Sequence, residues 1–329
     1  MNCKIGCIVV CILFFNTTTV FSADYHPTEL LAIEWGDGPN QLKLQGPAYE
    51  DINDTPDDPT DDIIEVDAYG PTQGFVDLAE NVYFDSYDFG QFKAFDSQGN
   101  LFLDLSRGTT GYNNEYFESA TSGYAVDSQG LIYFTSFPAH AYIAVVDRNG
   151  NLVEKLYPCG IDDPVGVDGV FYNYDDVMAF SCGSRGIRTY FDGSFEISGG
   201  PWRGVDGIYY VVRRIEPGLL EFKKIGDPDS TGWGAWREIE NIEYPGGVAS
   251  AAFMGVDVNL KLYVLISDLQ GVNKILVYNN DYSLDTEFEL PDYDNQYYFY
   301  MGYFLRQDGN IYHFRCLDDG LHVIRWSRE

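Results

Sequence analysis

The densest group of side chains that could bind a metal ion lies in residues 50–62. The aspartates of this stretch are Asp51, Asp54, Asp57, Asp58, Asp61 and Asp62. Calcium takes about six to eight oxygen ligands, which closely spaced Asp side chains supply. The stretch lacks the spacing, the glycine and the closing Glu of an EF-hand loop, and its prolines and repelling carboxylates are equally typical of a solvated loop. Two interpretations stay open: a calcium site on these aspartates, or an exposed acidic loop.

A second group of side chains that could bind a ligand is basic and aromatic. Its members are Arg185, Trp202, Arg203, Arg213 and Arg214. They stand out because the chain has only 20 Lys and Arg residues against 51 Asp and Glu residues. Arginine suits the recognition of carboxylate or phosphate, and an indole ring suits stacking on a sugar or a peptide. The alternative is local neutralisation by acidic neighbours such as Asp206 and Glu216.

No motif in the sequence predicts a catalytic centre. The four histidines show neither HxH nor HExxH spacing, so a zinc site is not indicated. A G-x-S-x-G nucleophile elbow is absent, and the paired glycines lack the lysine and helix of a phosphate-binding loop. We therefore favour a binding role over catalysis and leave enzymatic activity open.

The elements that must position these side chains are indicated by a repeated turn. It reads Asp96-Ser97-Gln98-Gly99-Asn100-Leu101, Asp127-Ser128-Gln129-Gly130-Leu131, Asp147-Arg148-Asn149-Gly150-Asn151-Leu152 and Gln307-Asp308-Gly309-Asn310-Ile311. Short runs rich in Val, Phe, Tyr and Leu flank each copy, as expected for β-hairpins. A fixed repeat predicts units that bury their apolar faces by stacking on one another.

The spacing predicts an all-β fold of six such units. Four short antiparallel strands in about 35–50 residues have the size of a propeller blade. We place the units at 74–105, 123–156, 166–198, 202–240, 249–290 and 299–326. The last unit has three predicted strands, and Leu30–Trp35 can supply its fourth. The prediction is one six-bladed β-propeller domain over residues 23–329, with four-stranded antiparallel blades and the last blade closed by the N-terminal strand.

Several segments resemble the NHL-repeat pattern and, more broadly, six-bladed TolB-like propellers. These segments are Ile33-Glu34-Trp35-Gly36-Asp37-Gly38-Pro39, Gly70-Pro71-Thr72, Asn81-Val82-Tyr83-Phe84-Asp85 and Phe95-Asp96-Ser97-Gln98-Gly99-Asn100-Leu101. The resemblance implies a fold and no single activity, since such families include protein-interaction modules, RNA binders, lactonases and a peptide-amidating lyase. No catalytic motif of those enzymes can be carried over to this sequence.

In a propeller, the linkers between blades and the loops between second and third strands share one face. That face would gather the arginines and Trp202 in one sector, where we predict binding of a protein, peptide or glycan. The alternative is a calcium-dependent, lactonase-like hydrolase or lyase at the central channel. Asp77, Asp127 and Asp257 end predicted first strands and are its candidates, although Asp commonly caps a turn there.

The cysteines can also be assigned on the predicted ring. Cys182 and Cys316 occupy matching positions of opposite blades, too far apart for a disulfide. Cys159 enters the blade that contains Cys182, so a Cys159–Cys182 bond is the pair that we predict. The alternative is that all three are thiols.

The first residues predict export. Lys4, the apolar run Ile5–Phe15 and the small residues before position 24 are typical of a secretory signal peptide, assigned to 1–22 with cleavage after Ser22 or Ala23. The run is too short to span a bilayer. A net charge of −31 repels nucleic acid and anionic lipid. We expect a secreted or periplasmic monomer without a transmembrane segment.

Overall fold

The structure is a computed structural model, and it confirms the prediction of an all-β protein. It describes residues 25–44, 48–51, 63–66, 70–71, 73–86, 91–105, 121–127, 129–136, 142–157, 168–172, 178–181, 187–190, 195–197, 202–204, 206, 208–225, 236–291 and 302–328. Every regular element in these residues is a β-strand. Within the same ranges, no helix has the length and hydropathy needed to cross a bilayer.

The strands, in chain order, are β1 (Tyr25–Glu34), β2 (Ala48–Asp51), β3 (Ile63–Val66), β4 (Gln73–Val76), β5 (Val82–Ser86), β6 (Gln91–Phe95), β7 (Leu101–Asp104), β8 (Thr121–Val126), β9 (Ile132–Ser136), β10 (Ile143–Val146), β11 (Leu152–Leu156), β12 (Asp168–Tyr172), β13 (Met178–Ser181), β14 (Ile187–Tyr190), β15 (Phe195–Ile197), β16 (Trp202–Arg203), β17 (Tyr209–Glu216), β18 (Leu219–Ile225), β19 (Trp236–Glu243), β20 (Ser250–Val256), β21 (Leu262–Ser267), β22 (Asn273–Tyr278), β23 (Leu284–Glu289), β24 (Tyr303–Leu305), β25 (Ile311–Leu317) and β26 (Gly320–Arg328).

They form six four-stranded antiparallel sheets and one two-stranded sheet. Sheets 1 to 5 are β4–β7, β8–β11, β12–β15, β16–β19 and β20–β23, each with its strands in sequential order. Sheet 6 has the order β1-β26-β25-β24, so the N-terminal strand lies beside the C-terminal one. The register of that pair runs from Tyr25 opposite Arg328 to Glu34 opposite Gly320. The strand therefore begins earlier than the predicted segment 30–35.

The repeated turn has the same backbone geometry in eight copies among the described residues. In eight turns the first residue accepts a hydrogen bond from the amide of the fourth and donates one to the carbonyl of the fifth. These turns begin at Asp77, Asp96, Asp127, Asp147, Asp257, Asp268, Asn279 and Arg306. The fourth residue always has a positive φ, which favours glycine. Glycine occupies five of these positions, and Glu80, Leu260 and Tyr282 occupy the other three.

The core lies between successive sheets. In β5, Phe84 packs in a cluster with β25 and β26 of sheet 6, whereas Tyr83 packs in a cluster with sheet 2. Successive strand residues point to opposite faces, so a sheet covered on both sides needs apolar residues at consecutive positions. Similar clusters join sheet 4 to sheet 5 and sheet 5 to sheet 6.

The acidic segment is the connection of a separate hairpin. Strands β2 and β3 pair from Ala48 opposite Val66 to Asp51 opposite Ile63. This two-stranded sheet follows the N-terminal strand and precedes sheet 1. The backbone of Asp51 thus ends β2, while Asp54, Asp57, Asp58, Asp61 and Asp62 lie outside the described residues, as do positions 1–22.

Candidate functional site

The three carboxylates considered for a channel site cap turns. One oxygen of Asp77 accepts the amides of Ala79 and Asn81 at 2.9 Å, and its other oxygen accepts the Tyr83 hydroxyl at 3.0 Å. Asp127 and Asp257 repeat this arrangement. Their second oxygens accept the hydroxyls of Tyr133 and Tyr263, each at 3.1 Å. The structure thus gives these carboxylates the turn-capping role that the sequence left as an alternative.

The electrostatics of these pairs keep the tyrosines as hydrogen-bond donors. Burial raises the pKa of the Tyr83 hydroxyl far above its usual value, and the Asp77 charge raises it further. Burial likewise raises the pKa of Tyr263, with added contributions from Tyr25 and Asp257. The Tyr25 hydroxyl lies 3.1 Å from that of Tyr263 and donates to the carbonyl of Gly309 at 3.3 Å. The network therefore links β1 to sheets 5 and 6.

Sheet 6 carries Arg306 where its neighbours carry the aspartate. Its guanidinium donates to the Asp77 carbonyl at 2.9 Å and pairs with Asp308 at 2.5 Å. Burial lowers the pKa of Arg306, but the hydrogen bond and the charge of the Asp308 carboxylate outweigh burial and raise this pKa above its usual value. The guanidinium also lies 5.1 Å from the centre of the Tyr312 ring. The aspartate position of this turn is thus used to join sheet 6 to sheet 1.

Other side chains join neighbouring sheets at the same end, which we call the turn face. It contains the turns between first and second strands and between third and fourth strands. Arg148 donates to the Asn81 side chain at 3.1 Å, and Lys224 donates to the Asn280 carbonyl at 2.8 Å. Arg325 pairs with Glu80. The charged side chains named here are therefore used in contacts that join neighbouring sheets.

The predicted arginine sector is not assembled: the structure places only Arg213 and Arg214 at the opposite end, which we call the loop face. Arg213 and Arg214 lie in the second half of β17, which ends at Glu216 before the turn to β18. Because they are consecutive, they lie on opposite faces of sheet 4. The Arg213 side chain is 57% exposed and pairs with Glu221 at 2.6 Å, which also binds Lys223 at 2.7 Å. This pairing is the local neutralisation considered above, with Glu221 as the partner.

The other members of the sector are less fully placed. Trp202 and Arg203 form β16, opposite Tyr210 and Tyr209 of β17. They therefore share sheet 4 with Arg213 and Arg214 but lie beside the turn between its first and second strands, on the turn face, so the structure does not bring the four residues together. Arg185 lies outside the described residues.

Two exposed apolar side chains on the loop face escaped the sequence analysis. Ile215 is 39% exposed beside the β17–β18 turn, and Leu269 is 57% exposed in the β21–β22 turn. Leu269 packs on Gly247: a Cβ added to Gly247 would lie 2.4 Å from the Cδ1 atom of Leu269. A Cβ at Gly218 would lie 3.5 Å from the Gly247 Cα, so the loops of sheets 4 and 5 meet there.

We call this surface the 4–5 rim and define it as residues 213–218, 244–247 and 268–269. Gly247 has a φ of 71°, in the left-handed region, and its missing side chain leaves room for Leu269. Tyr244, which follows β19 in the linker to sheet 5, is buried, and its hydroxyl donates to Glu287 at 2.9 Å. The Tyr244 ring therefore lies beneath the rim surface and is not available to a partner.

Metal and disulfide predictions fall mostly outside the described ranges. Among described residues, no group of three or more His, Cys, Asp and Glu side chains is arranged to hold a metal ion. Cys159 and Cys182, the predicted disulfide pair, lie outside the described residues. Cys316 is buried between sheets 6 and 1, and burial raises the pKa of its thiol to about 12.

Comparisons with known proteins identify similar solved structures. A member of the DUF4221 family from Bacteroides vulgatus is 10% identical, with a TM-score of 0.48 over 94% of this chain and 99% of that chain. Virginiamycin B lyase from Staphylococcus aureus is 14% identical, with a TM-score of 0.41 over 83% and 82%. A gluconolactonase from Xanthomonas campestris is 13% identical, with a TM-score of 0.42 over 92% and 99%.

No model of a protein family and no curated protein matches the sequence. At identities of 10–14% and TM-scores of 0.41–0.48, the structural similarities assign neither a family nor an activity to this chain.

Proposed function

We propose that the six four-stranded sheets are the blades of a propeller, with β1 closing the last blade. The proposal is supported by contacts between inner strands, since β20 contacts β24, β24 contacts β4, and β8 contacts β12. Shared apolar clusters join sheets 4, 5, 6, 1 and 2 in that order. Sheets that bury both faces against neighbours, with the first and last strands paired, favour a ring.

We further propose that the protein is an exported binding module that recognises a protein or peptide through the 4–5 rim. The observation that carries this proposal is the pair of exposed side chains Ile215 and Leu269, held on two sheets by the close approach of Gly218 and Gly247. Exposed apolar groups with polar neighbours are typical of recognition surfaces. The charged groups of the turn face, in contrast, are used in contacts between sheets.

The chemistry of the rim defines the partner. Ile215 and Leu269 suit an aliphatic or aromatic side chain, and Arg214, which is exposed and belongs to the rim, suits a carboxylate. The net charge of −31 repels an extended polyanion. We therefore propose a peptide segment with an apolar residue next to a single acidic residue.

A peptide array tests this function. Immobilised peptides would pair Leu or Phe with Glu, and matched peptides would carry Lys or Ser instead. We expect the apolar–acidic peptides to retain the protein, and Leu269→Asp or Ile215→Asp to weaken retention about tenfold, which corresponds to ~1.4 kcal/mol. Val153→Asp is the control, because Val153 has the same 57% exposure as Leu269 but lies on β11. Equal retention of all peptides, or equal loss in the control, would contradict the proposal.

The alternative of a calcium-dependent hydrolase or lyase stays a prediction that calcium titration can test. If the acidic segment binds calcium, the thermal midpoint must rise when calcium is added and fall when EDTA removes it. At a free calcium concentration about one hundred times the dissociation constant, binding adds about 2.7 kcal/mol to the free energy of unfolding. Asp57→Asn with Asp58→Asn should abolish that rise, whereas Asp96→Asn should preserve it. A midpoint that does not respond to calcium would remove the metal from consideration.

A further inference from the structure

An imidazole ring joins the N-terminal strand to sheet 6. His322 lies on β26, and its side chain is 15% exposed. Its Nδ1 atom is 2.9 Å from the Oε2 atom of Glu29 on β1. Its Nε2 atom is 3.1 Å from the Oδ1 atom of Asp319, in the turn before β26. Both ring nitrogens therefore face carboxylates.

This geometry requires a particular protonation state. An ionised carboxylate only accepts hydrogen bonds, and both ring nitrogens donate only in the imidazolium form. A neutral ring has one N–H, so one of the two carboxylates would face a nitrogen lone pair. The arrangement is therefore complete only when His322 is protonated.

The direct cross-strand neighbours of His322 are one apolar and one cationic residue. Arg315 on β25 is the direct cross-strand neighbour of His322, and Ala32 is its neighbour on β1. The other described histidines of this sheet are His313 on β25 and His26 on β1. Burial opposes protonation, but hydrogen bonds to Glu29 and Asp319 and their charges raise the pKa of His322 above its usual value.

We infer that His322 is a protonation-dependent clamp that holds the N-terminal strand on sheet 6 and tightens as the pH falls. The strand has β26 as its partner along its length. The clamp acts near its middle, where the register shifts between Glu29 and Leu31. A raised folded-state pKa gives stability that is fully present below about pH 6.5 and is lost as the pH rises through the folded value.

Hydrogen exchange of the whole mature protein tests the clamp. We expect the protection of β1 amides, corrected for intrinsic exchange, to fall about two- to fivefold between pH 6.5 and 8.5, the range typical of a partly exposed ion pair. His322→Gln should make β1 protection independent of pH in this range. His26→Gln is the matched control. His26 is exposed on β1 itself, so its replacement should leave the pH dependence of β1 protection unchanged.

A second readout separates the clamp from general damage to the strand. The His322 resonance should titrate above pH 6.5 in the wild type, and its midpoint should drop in Glu29→Gln, an exposed and conservative change. If β1 protection does not vary with pH, or varies equally in His322→Gln, the inference is wrong. It is also wrong if Glu29→Gln leaves the His322 midpoint unchanged.

Discussion

At the scale of single residues, the buried aspartates are structural. Each of the three aspartates at the ends of first strands spends one oxygen on turn amides and the other on a tyrosine hydroxyl. The acidity of the chain thus partly reflects its turns. A carboxylate that caps a turn and binds a phenol has few lone pairs left for a metal ion or a substrate.

A substitution at Asp257 tests this role. Asp257→Asn keeps an oxygen for the turn amides but places an amide group towards the buried Tyr263 hydroxyl, so we expect a loss of about 1–3 kcal/mol in the free energy of unfolding. Asp96→Asn is the control. Asp96 caps another copy of this turn, and its second oxygen accepts a hydrogen bond from the exposed Asn100 side chain instead of from a buried tyrosine. Urea denaturation measures both. Equal losses would mean that the tyrosine contact contributes nothing.

The buried His313 predicts a loss of stability in mild acid. Burial lowers the pKa of His313 to about 3, and its ring stacks on Tyr303 with centroids 4.2 Å apart. The unfolded chain takes up the proton near pH 6.5 and the folded one does not, so stability falls as the pH drops below 6.5. We expect at most about 3–5 kcal/mol of loss by pH 3.

Denaturation at pH 6.5 and pH 4.5 measures this effect. His313→Phe keeps a ring against Tyr303 and should flatten the dependence in this window. His322→Gln should not flatten it, since His322 favours the folded state in acid. A wild-type profile that is flat from pH 6.5 to pH 4.5 would contradict the assignment.

At the scale of the elements, the same turn geometry occurs on both the turn face and the loop face, and the residue at its fourth position varies. Glu80 pairs with Arg325 of the neighbouring sheet, and Tyr282 packs 5.3 Å from the Phe222 ring of sheet 4. Non-glycine residues in the left-handed region cost about 1 kcal/mol or more. Contacts between sheets offset that cost at these positions.

Two glycines with the same φ of 84° separate backbone strain from crowding. A Cβ at Gly309 would lie 2.6 Å from the Tyr263 hydroxyl, whereas a Cβ at Gly271 meets nothing within 4 Å. We expect Gly271→Ala to cost about 1 kcal/mol from the backbone alone. Gly309→Ala should cost about 1–3 kcal/mol more, because the methyl group displaces a buried hydrogen-bond network. Thermal or urea unfolding of the two variants gives the difference, and equal values would contradict it.

At the scale of the whole molecule, the N-terminal strand connects the two ends of the chain. The core between sheets 6 and 1 includes Leu31 and Ile33 of β1. The Tyr25 ring stacks on Phe288 of sheet 5 at 4.5 Å. Burying such side chains contributes about 1.5–3 kcal/mol each. The strand is thus a main source of stability for sheets 5, 6 and 1.

Removal of β1 should be reversible by adding the strand back. We expect a variant that begins at residue 36 to lose several kcal/mol of stability and to aggregate, because β26 becomes an open edge. A synthetic peptide of residues 24–36 should restore the thermal midpoint in a concentration-dependent way. The same peptide with Leu31→Asp and Ile33→Asp should not. A truncated protein with wild-type stability would contradict the role of the strand.

The sequence by itself determined the class of fold and the local geometry. The turn at Asp96–Leu101 and runs such as Val82–Asp85 predict their own structure, because turn chemistry and the two-residue period of a strand act over a few neighbours. The tertiary structure alone decided which oxygens are used, that Gly218 meets Gly247, and that His322 meets Glu29. Such contacts join residues far apart in the chain, and sheet packing sets their distances rather than any local spacing. The sequence therefore singled out Arg213 and Arg214 of the candidate rim and most of the strands, but it predicted neither the contact between the loops of sheets 4 and 5 nor the clamp.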